Sequence, residues 1–179
     1  MCFGMNKTKA TEHSVHEENY HKELKQRIST CKRKDIFVRI LRRDVNCAGT
    51  TLYLIGAAEN DKYVESKTLH LNYLSKLTIT TQPAIGCIVA WTGKYQHSGS
   101  LFVPVDYINT RHIGVITTLD PIKVTHRDGI KGRFIVNQRI EDIEKFGASM
   151  GLIGPNNIGR LTYKKLFDQI FYLPSLLRY

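Results

Sequence analysis

The chain has 179 residues, with 26 Lys and Arg against 16 Asp and Glu, which gives a net charge of +10 at pH 7. Residues 1–43 hold eleven of the basic and five of the acidic side chains, so more than half of the excess charge lies in the first quarter. Such an excess favours contact with an acidic surface, either nucleic acid or lipid headgroups. No stretch approaches the roughly 20 apolar residues of a membrane span, and no apolar run of the secretory kind follows the first basic residues. We therefore expect residence in the cytosol or nucleus, with any membrane contact peripheral.

The four cysteines are scattered, with no C-x-x-C pair and no matching histidine spacing. This spacing argues against a structural zinc site and predicts four reduced thiols. They are Cys2, Cys31, Cys47 and Cys87. We expect no metal and no cofactor.

Residues 1–34 are predicted to form a basic, largely flexible arm, because their apolar side chains are too dispersed to bury a face. The alternative for Glu17 to Ile28 is a short solvated helix, since Glu18 with Lys22 and other pairs have i,i+4 spacing. The three basic residues that begin at Lys32 directly precede the first predicted strand. They favour a phosphate-binding collar or a nuclear-localisation patch.

Residues 35–179 are predicted to form a single globular domain. From Asp35 the pattern has a period of two, with Ile36, Val38 and Ile40 on one face of a strand. Further short apolar runs, rich in β-branched residues and separated by Gly, Pro, Asn and Asp, predict more strands. The runs are Thr51–Ile55, Thr68–Tyr73, Leu77–Thr81, Ile85–Thr92, Leu101–Val105, His112–Thr118, Ile122–Thr125 and Arg133–Asn137. The Asp128-Gly129 dipeptide predicts a hairpin turn between the last two.

Two helices are predicted after the strands. Asn137 can cap a helix that ends near Gly151, and a second amphipathic helix runs from about Arg160 to Leu173, where Pro174 stops it. The predicted fold class is α+β: a β-rich sandwich or barrel-like core of about eight short strands, one or two C-terminal amphipathic helices and a flexible basic N-terminal arm.

Basic side chains are the predicted contacts with nucleic acid or a membrane. They lie in the arm, at the start of the body, around the predicted hairpin and on the polar face of the last helix. The set is Lys7, Lys9, Lys22, Lys25, Arg27, Lys32, Arg33, Lys34, Arg42, Arg43, Lys123, Arg127, Lys131, Arg133, Lys164 and Lys165.

Catalytic signatures do not emerge from the spacing of the reactive residues. The G-x-S-x-G elbow of serine hydrolases and the H-E-x-x-H zinc pair are both absent. We therefore expect a protein that is not an enzyme. The alternative is a small metal-free nuclease or hydrolase, which requires a histidine beside a Lys, Tyr or carboxylate partner. The candidates for that histidine are His70, His97, His112 and His126.

The order of a basic arm, an arginine-studded apolar strand (Ile36-Phe37-Val38-Arg39-Ile40-Leu41-Arg42-Arg43), a β-rich body and terminal helices resembles the small matrix proteins of negative-strand RNA viruses, especially plant rhabdoviruses. The resemblance implies a non-enzymatic virion protein that self-associates as a homo-oligomer and bridges ribonucleoprotein to an anionic membrane. It also implies a location in the virion and the host cytoplasm, at membranes as a peripheral protein, with the nucleus as a further site. The alternative is an RNA-binding accessory protein that uses the basic arm and the hairpin.

Overall fold

The computed structural model describes residues 5–40, 44–94, 108–129, 132–143 and 168–174, and in these residues three helices precede a six-stranded sheet. The helices are α1 (Met5–Ile40), α2 (Cys47–Leu54) and α3 (Ser66–Asn72), with a 3-10 turn at Leu74–Lys76. The strands are β1 (Thr78–Thr80), β2 (Ile88–Lys94), β3 (Ile108–Leu119), β4 (Ile122–Arg127), β5 (Phe134–Arg139) and β6 (Asp168–Leu173).

All neighbouring strands of the sheet are antiparallel, in the order β1-β6-β2-β3-β4-β5. Strands β2 to β5 follow one another along the chain, whereas β6, the last in sequence, lies between β1 and β2. Ile88 of β2 therefore pairs with both Val115 of β3 and Tyr172 of β6. The α+β class is confirmed, but the described strands form one sheet rather than a sandwich or barrel.

Each face of the sheet carries its own apolar cluster. On one face, sheet residues pack against the three helices; this cluster includes Leu24, Leu52, Leu69, Ile88, Ala90, Ile113, Val115 and Tyr172. On the other face the cluster includes Cys87, Val89, Trp91, Ile116, Val124, Ile140 and Ile143. Full burial of each large apolar side chain contributes about 1.5–3 kcal/mol. The central strands are thus buried on both faces, as their continuous apolar runs require.

The N-terminal segment is the largest departure from the sequence-based expectation. Residues 5–40 form one helix, so the predicted flexible arm, the predicted strand from Asp35 and the boundary between residues 34 and 35 are corrected. The reason is the spacing of the buried side chains, which fall four or seven residues apart and so on one side of a helix. They are Tyr20, Leu24, Cys31 and Val38. The Tyr20 hydroxyl donates to the Gly86 carbonyl at 2.9 Å, which ties α1 to the segment before β2.

Two other predicted strands are helical. Thr51–Ile55 belongs largely to α2, and most of Thr68–Tyr73 belongs to α3. Burial of α2 and its N-cap outweigh the modest strand propensity of its threonines. The predicted strands near β1 to β5 are confirmed, as is the turn at Asp128-Gly129, where Gly129 has a φ of 64°. The predicted strand Leu101–Val105 lies outside the described residues.

The predicted C-terminal helices are corrected where the structure describes them. Asn137 is not a helix cap but lies within β5 with a φ of 56°. Of the described residues in the first prediction, 140–143 are helical. The end of the second prediction, Asp168–Leu173, is strand β6. Tyr172 packs with the helix-facing cluster and Phe171 with the opposite one, so this apolar run is a strand buried on both faces. Residues 144–167 are outside the described part.

Candidate active site

Cys47 is the first residue of α2, and the residue before it fixes where that helix begins. The Asn46 side-chain oxygen accepts from the backbone N–H groups of Gly49 at 3.0 Å and Val64 at 3.1 Å. The same side chain donates through Nδ2 to the Val64 carbonyl at 2.8 Å. A Cβ at Gly49 would overlap the Lys62 backbone, so only glycine allows this close approach. The cap therefore holds the cysteine in one place.

The environment of the Cys47 thiol combines burial with backbone donors. Burial raises the pKa of Cys47 to about 11, while backbone N–H groups of Ile113, Ala48 and Cys47 itself oppose that rise. Helix α2 packs against β3, and Ile113 is the neighbour of His112 in that strand. His112 and Ile113 are consecutive residues of β3, so their side chains project from opposite faces of the sheet. Cys47 packs with Ile113 in the helix-facing cluster, whereas His112 lies against Trp91 of the opposite cluster. The thiol and the imidazole therefore lie on opposite sides of the sheet. They make no direct hydrogen bond to each other, although both residues are described.

His112 begins a chain of three hydrogen-bonded side chains that crosses three strands. Its Nε2 lies 2.9 Å from Nδ1 of His126 on β4. Nε2 of His126 lies 2.7 Å from Oε1 of Gln138 on β5. The two imidazole rings meet edge to face, with their centroids 4.8 Å apart. The order from β3 to β5 is therefore imidazole, imidazole, amide oxygen.

These distances fix the tautomers, because Oε1 of Gln138 can only accept a hydrogen bond. His126 must donate from Nε2, which leaves its Nδ1 as an acceptor. His112 must then donate from Nε2, so its own Nδ1 carries no proton when the ring is neutral. The chain presents His112 as a base at Nδ1, with its opposite nitrogen held by a partner.

Burial keeps both rings neutral near pH 7. It lowers the pKa of His112 to about 3, and the neighbouring His126 lowers it further in the same direction. Burial likewise lowers the pKa of His126, although the hydrogen bond to Gln138 opposes this. The Trp91 ring lies over His112, with centroids 5.5 Å apart. A Cβ at Gly114 would crowd His126, so glycine lets the second imidazole pack directly on β3.

A buried arginine network lies on the helix-facing side of the sheet. Arg127 has no exposed side-chain area and donates to Thr50 Oγ1 at 3.0 Å, Asp35 Oδ1 at 2.8 Å and Asp61 Oδ2 at 3.1 Å. It also donates to the Gly132 carbonyl at 2.8 Å. The prediction that Arg127 contacts nucleic acid or a membrane is therefore corrected: its guanidinium joins α1, α2 and β4 inside the fold.

The other predicted basic contacts fall into three groups. The exposed ones that the structure describes are Lys22, Lys25, Lys32, Arg33, Lys34 and Arg133, and Lys123 is half-buried. Arg27 is engaged within the fold, since it donates to the Tyr53 carbonyl at 2.8 Å and pairs with Glu23 at 3.5 Å. Lys7 and Lys9 lie in α1, but their side chains are not described; Arg42, Arg43, Lys131, Lys164 and Lys165 lie outside the described residues.

Sequence reasoning considered His112 and His126 separately and missed Cys47 and Gln138. A signal for the cysteine was present in Asn46-Cys47-Ala48-Gly49, where a capping residue precedes small residues and an apolar run. The pairing of the two histidines depends on the β3–β4 register, which has an irregularity between Ile116 and Thr118. The sequence does not encode that irregularity in a readable pattern.

Among the described residues, no cluster of His, Cys, Asp or Glu could hold a metal ion. Within the same residues, no helix has the length and apolar character needed to cross a membrane. Comparison of the chain with family models, curated proteins and solved structures finds no match.

Proposed function

We propose that the protein is a thiol-dependent acyl hydrolase or acyl transferase, with Cys47 as nucleophile. The observation that carries the proposal is the position of the thiol at the capped start of α2, where the backbone N–H groups of Ile113, Ala48 and Cys47 itself face it. A fixed nucleophile beside backbone donors is one part of what covalent acyl transfer needs.

The reaction begins with a neutral thiol, because burial raises the pKa of Cys47 to about 11. Sγ attacks the carbonyl carbon of an ester, amide or thioester, the thiol proton passes to a water molecule, and the carbonyl electron pair moves to oxygen. That pair returns as the leaving group departs with a proton from water, and a thioester on Cys47 remains. Water or another acceptor then attacks the thioester, and the departing thiolate takes up the proton that this acceptor loses.

The start of α2 supplies donors for the negative charge that develops in this reaction. Cys47 and Ala48 occupy the first turn of the helix, where backbone N–H groups have no partner within the helix. These groups and the N–H of Ile113 already point to the thiol. Fixed donors of this kind stabilise an oxyanion without rearrangement, and loss of one costs about 10²–10³ in rate.

The proposal is tested with p-nitrophenyl acetate, an activated ester, under conditions in which the release of p-nitrophenol is followed. We expect release by the intact chain and its loss in Cys47→Ala. Cys87→Ala is the matched control, because Cys87 is fully buried and burial raises the pKa of its thiol as well. Equal release by the intact chain and by Cys47→Ala would contradict the proposal.

This proposal departs from the sequence-based prediction of a non-enzymatic matrix-like protein. That prediction, with its ribonucleoprotein partner, self-association and virion location, stays a prediction. One observation bears on its membrane contact alone: the outward side of α1 carries exposed basic and apolar residues. A membrane contact is compatible with either function.

A further inference from the structure

The outward side of α1 ends in a group of exposed apolar residues. Ile36, Phe37 and Ile40 are 53, 62 and 69% exposed, although they occupy consecutive turns of a helix whose other side is buried. Val38, between them in sequence, is buried and marks the side of the helix that faces the core. Ile36, Phe37 and Ile40 therefore point away from the core. Large apolar side chains exposed side by side indicate a surface that has a partner.

Basic residues adjoin this group along the same side of the helix. Lys32 and Arg33 are exposed about one turn before Ile36, and Lys25 is exposed about three turns before it. Between residues 25 and 40 the sequence holds a single acid, Asp35, and that carboxylate bonds to Arg127 inside the fold. The six residues Lys25, Lys32, Arg33, Ile36, Phe37 and Ile40 are called the outer patch below.

We propose that the outer patch is a docking surface for an anionic lipid headgroup layer. The basic residues match the negative charge of the headgroups, and the apolar side chains enter the boundary between headgroups and acyl chains, as in other interfacial helices. A free phosphate would use the charges but leave the apolar residues in water. A second copy of the same patch would bring like charges together, which is unfavourable. This inference goes beyond the proposed acyl chemistry and does not depend on it.

The test is co-sedimentation of the full chain with vesicles of phosphatidylcholine alone and with 30% phosphatidylserine. We expect binding only to the second kind, with affinity that falls as salt is raised, because screening weakens surface charge. Lys32→Gln with Arg33→Gln should weaken binding about thirtyfold. Ile36→Ser, Phe37→Ser and Ile40→Ser together should weaken binding by at least about tenfold.

Matched controls use exposed residues outside α1. Lys62→Gln with Lys67→Gln removes the same charge, and Ile79→Ser removes an apolar side chain that is 64% exposed on the edge strand β1. Neither control should change vesicle binding by more than about twofold. All substituted residues are exposed, so we expect each variant to have the same thermal unfolding curve as the parent. A matching curve shows that the fold of the variant is intact.

Three results would overturn the proposal. The first is equal binding to both kinds of vesicle. The second is equal loss of binding in the patch variants and in their controls. The third is a stable dimer, seen in sedimentation equilibrium, that dissociates in the triple-serine variant while vesicle binding persists. The outer patch would then be an interface with a second copy of the chain. Because p-nitrophenyl acetate is soluble, failure of vesicle binding leaves the acylation of Cys47 intact and distinguishable.

Discussion

Gln138 decides which nitrogen of His112 is free to take a proton. Its Oε1 accepts from Nε2 of His126, and this one hydrogen bond sets both imidazole tautomers in turn. The amide itself lies on β5, two strands away from His112. Gln138 therefore fixes the orientation of two buried imidazoles across three strands.

Gln138→Ala tests this structural role. Without the amide, Nε2 of the buried His126 loses its acceptor, and we expect the free energy of unfolding in urea to fall by about 1–3 kcal/mol. Gln138→Glu keeps an acceptor and should retain more of that stability. Neither variant should change the acylation of Cys47 by p-nitrophenyl acetate, because the histidine chain lies on the other face of the sheet. An unchanged free energy of unfolding in Gln138→Ala would contradict the assignment.

At the scale of elements, α1 is held to the sheet by polar as well as apolar contacts. Asp35 of α1 accepts from Arg127 and also from the Phe134 backbone N–H at 3.1 Å, and Thr50 of α2 donates to Asp61 at 2.7 Å. The guanidinium is thus surrounded by acceptors on every side. Such a buried pair is weak support for stability in itself, but removal of one partner leaves a buried charge unpaired.

Arg127→Met tests the network. The variant leaves two carboxylates without their partner, and we expect the free energy of unfolding in urea to fall by about 3–5 kcal/mol. Arg133→Met is the control, because Arg133 is exposed and its loss should stay within about 0.5 kcal/mol. Addition of Asp35→Asn and Asp61→Asn to Arg127→Met should recover part of the loss. Similar urea midpoints for the two arginine variants would show that the network contributes little.

Secondary structure was predictable where runs of β-branched residues form the strands, as in β2 to β5. Ile36, Val38 and Ile40 also alternate with a period of two, but they lie in α1. Only Val38 of these three is buried, so the alternation did not mark the buried face of a strand. In β6 the opposite error arises, since Phe171 and Tyr172 are both covered and a continuous apolar run has no period that separates strand from helix.

For the whole molecule, the buried imidazole of His112 links stability to pH. Its pKa is about 3 in the folded chain, against 6.5 for an ordinary histidine. Between these values the unfolded chain binds the extra proton, so this contribution to stability is complete above pH 6.5 and is lost as pH falls toward 3. The loss approaches about 1.4 kcal/mol for each pH unit within that window.

The corresponding measurement is the free energy of unfolding in urea from pH 7 to about pH 5.5, above the range in which ordinary carboxylates titrate. We expect stability to fall steadily in the intact chain and to change less in His112→Asn, which cannot take up the proton. His16→Asn is the control, because His16 is exposed on α1. Equal slopes for the intact chain and His112→Asn would show that His112 is not the responsible group.

The candidate site was less predictable than the fold, because it is assembled from contacts that are distant in sequence. The N–H of Ile113 reaches Cys47 only through the packing of α2 on β3, and His112 meets His126 and Gln138 only through the register of three strands. A scan for short motifs cannot find such a set. The exposure of the basic residues of α1 could be anticipated from their charge, but the burial of Arg127 required the positions of Asp35 and Asp61.

Site-resolved mass spectrometry after brief exposure to p-nitrophenyl acetate tests most directly whether Cys47 is the nucleophile. We predict an acetyl group on Cys47 and little on the buried Cys31 and Cys87. Acetylation spread equally over these three thiols would contradict the assignment of Cys47.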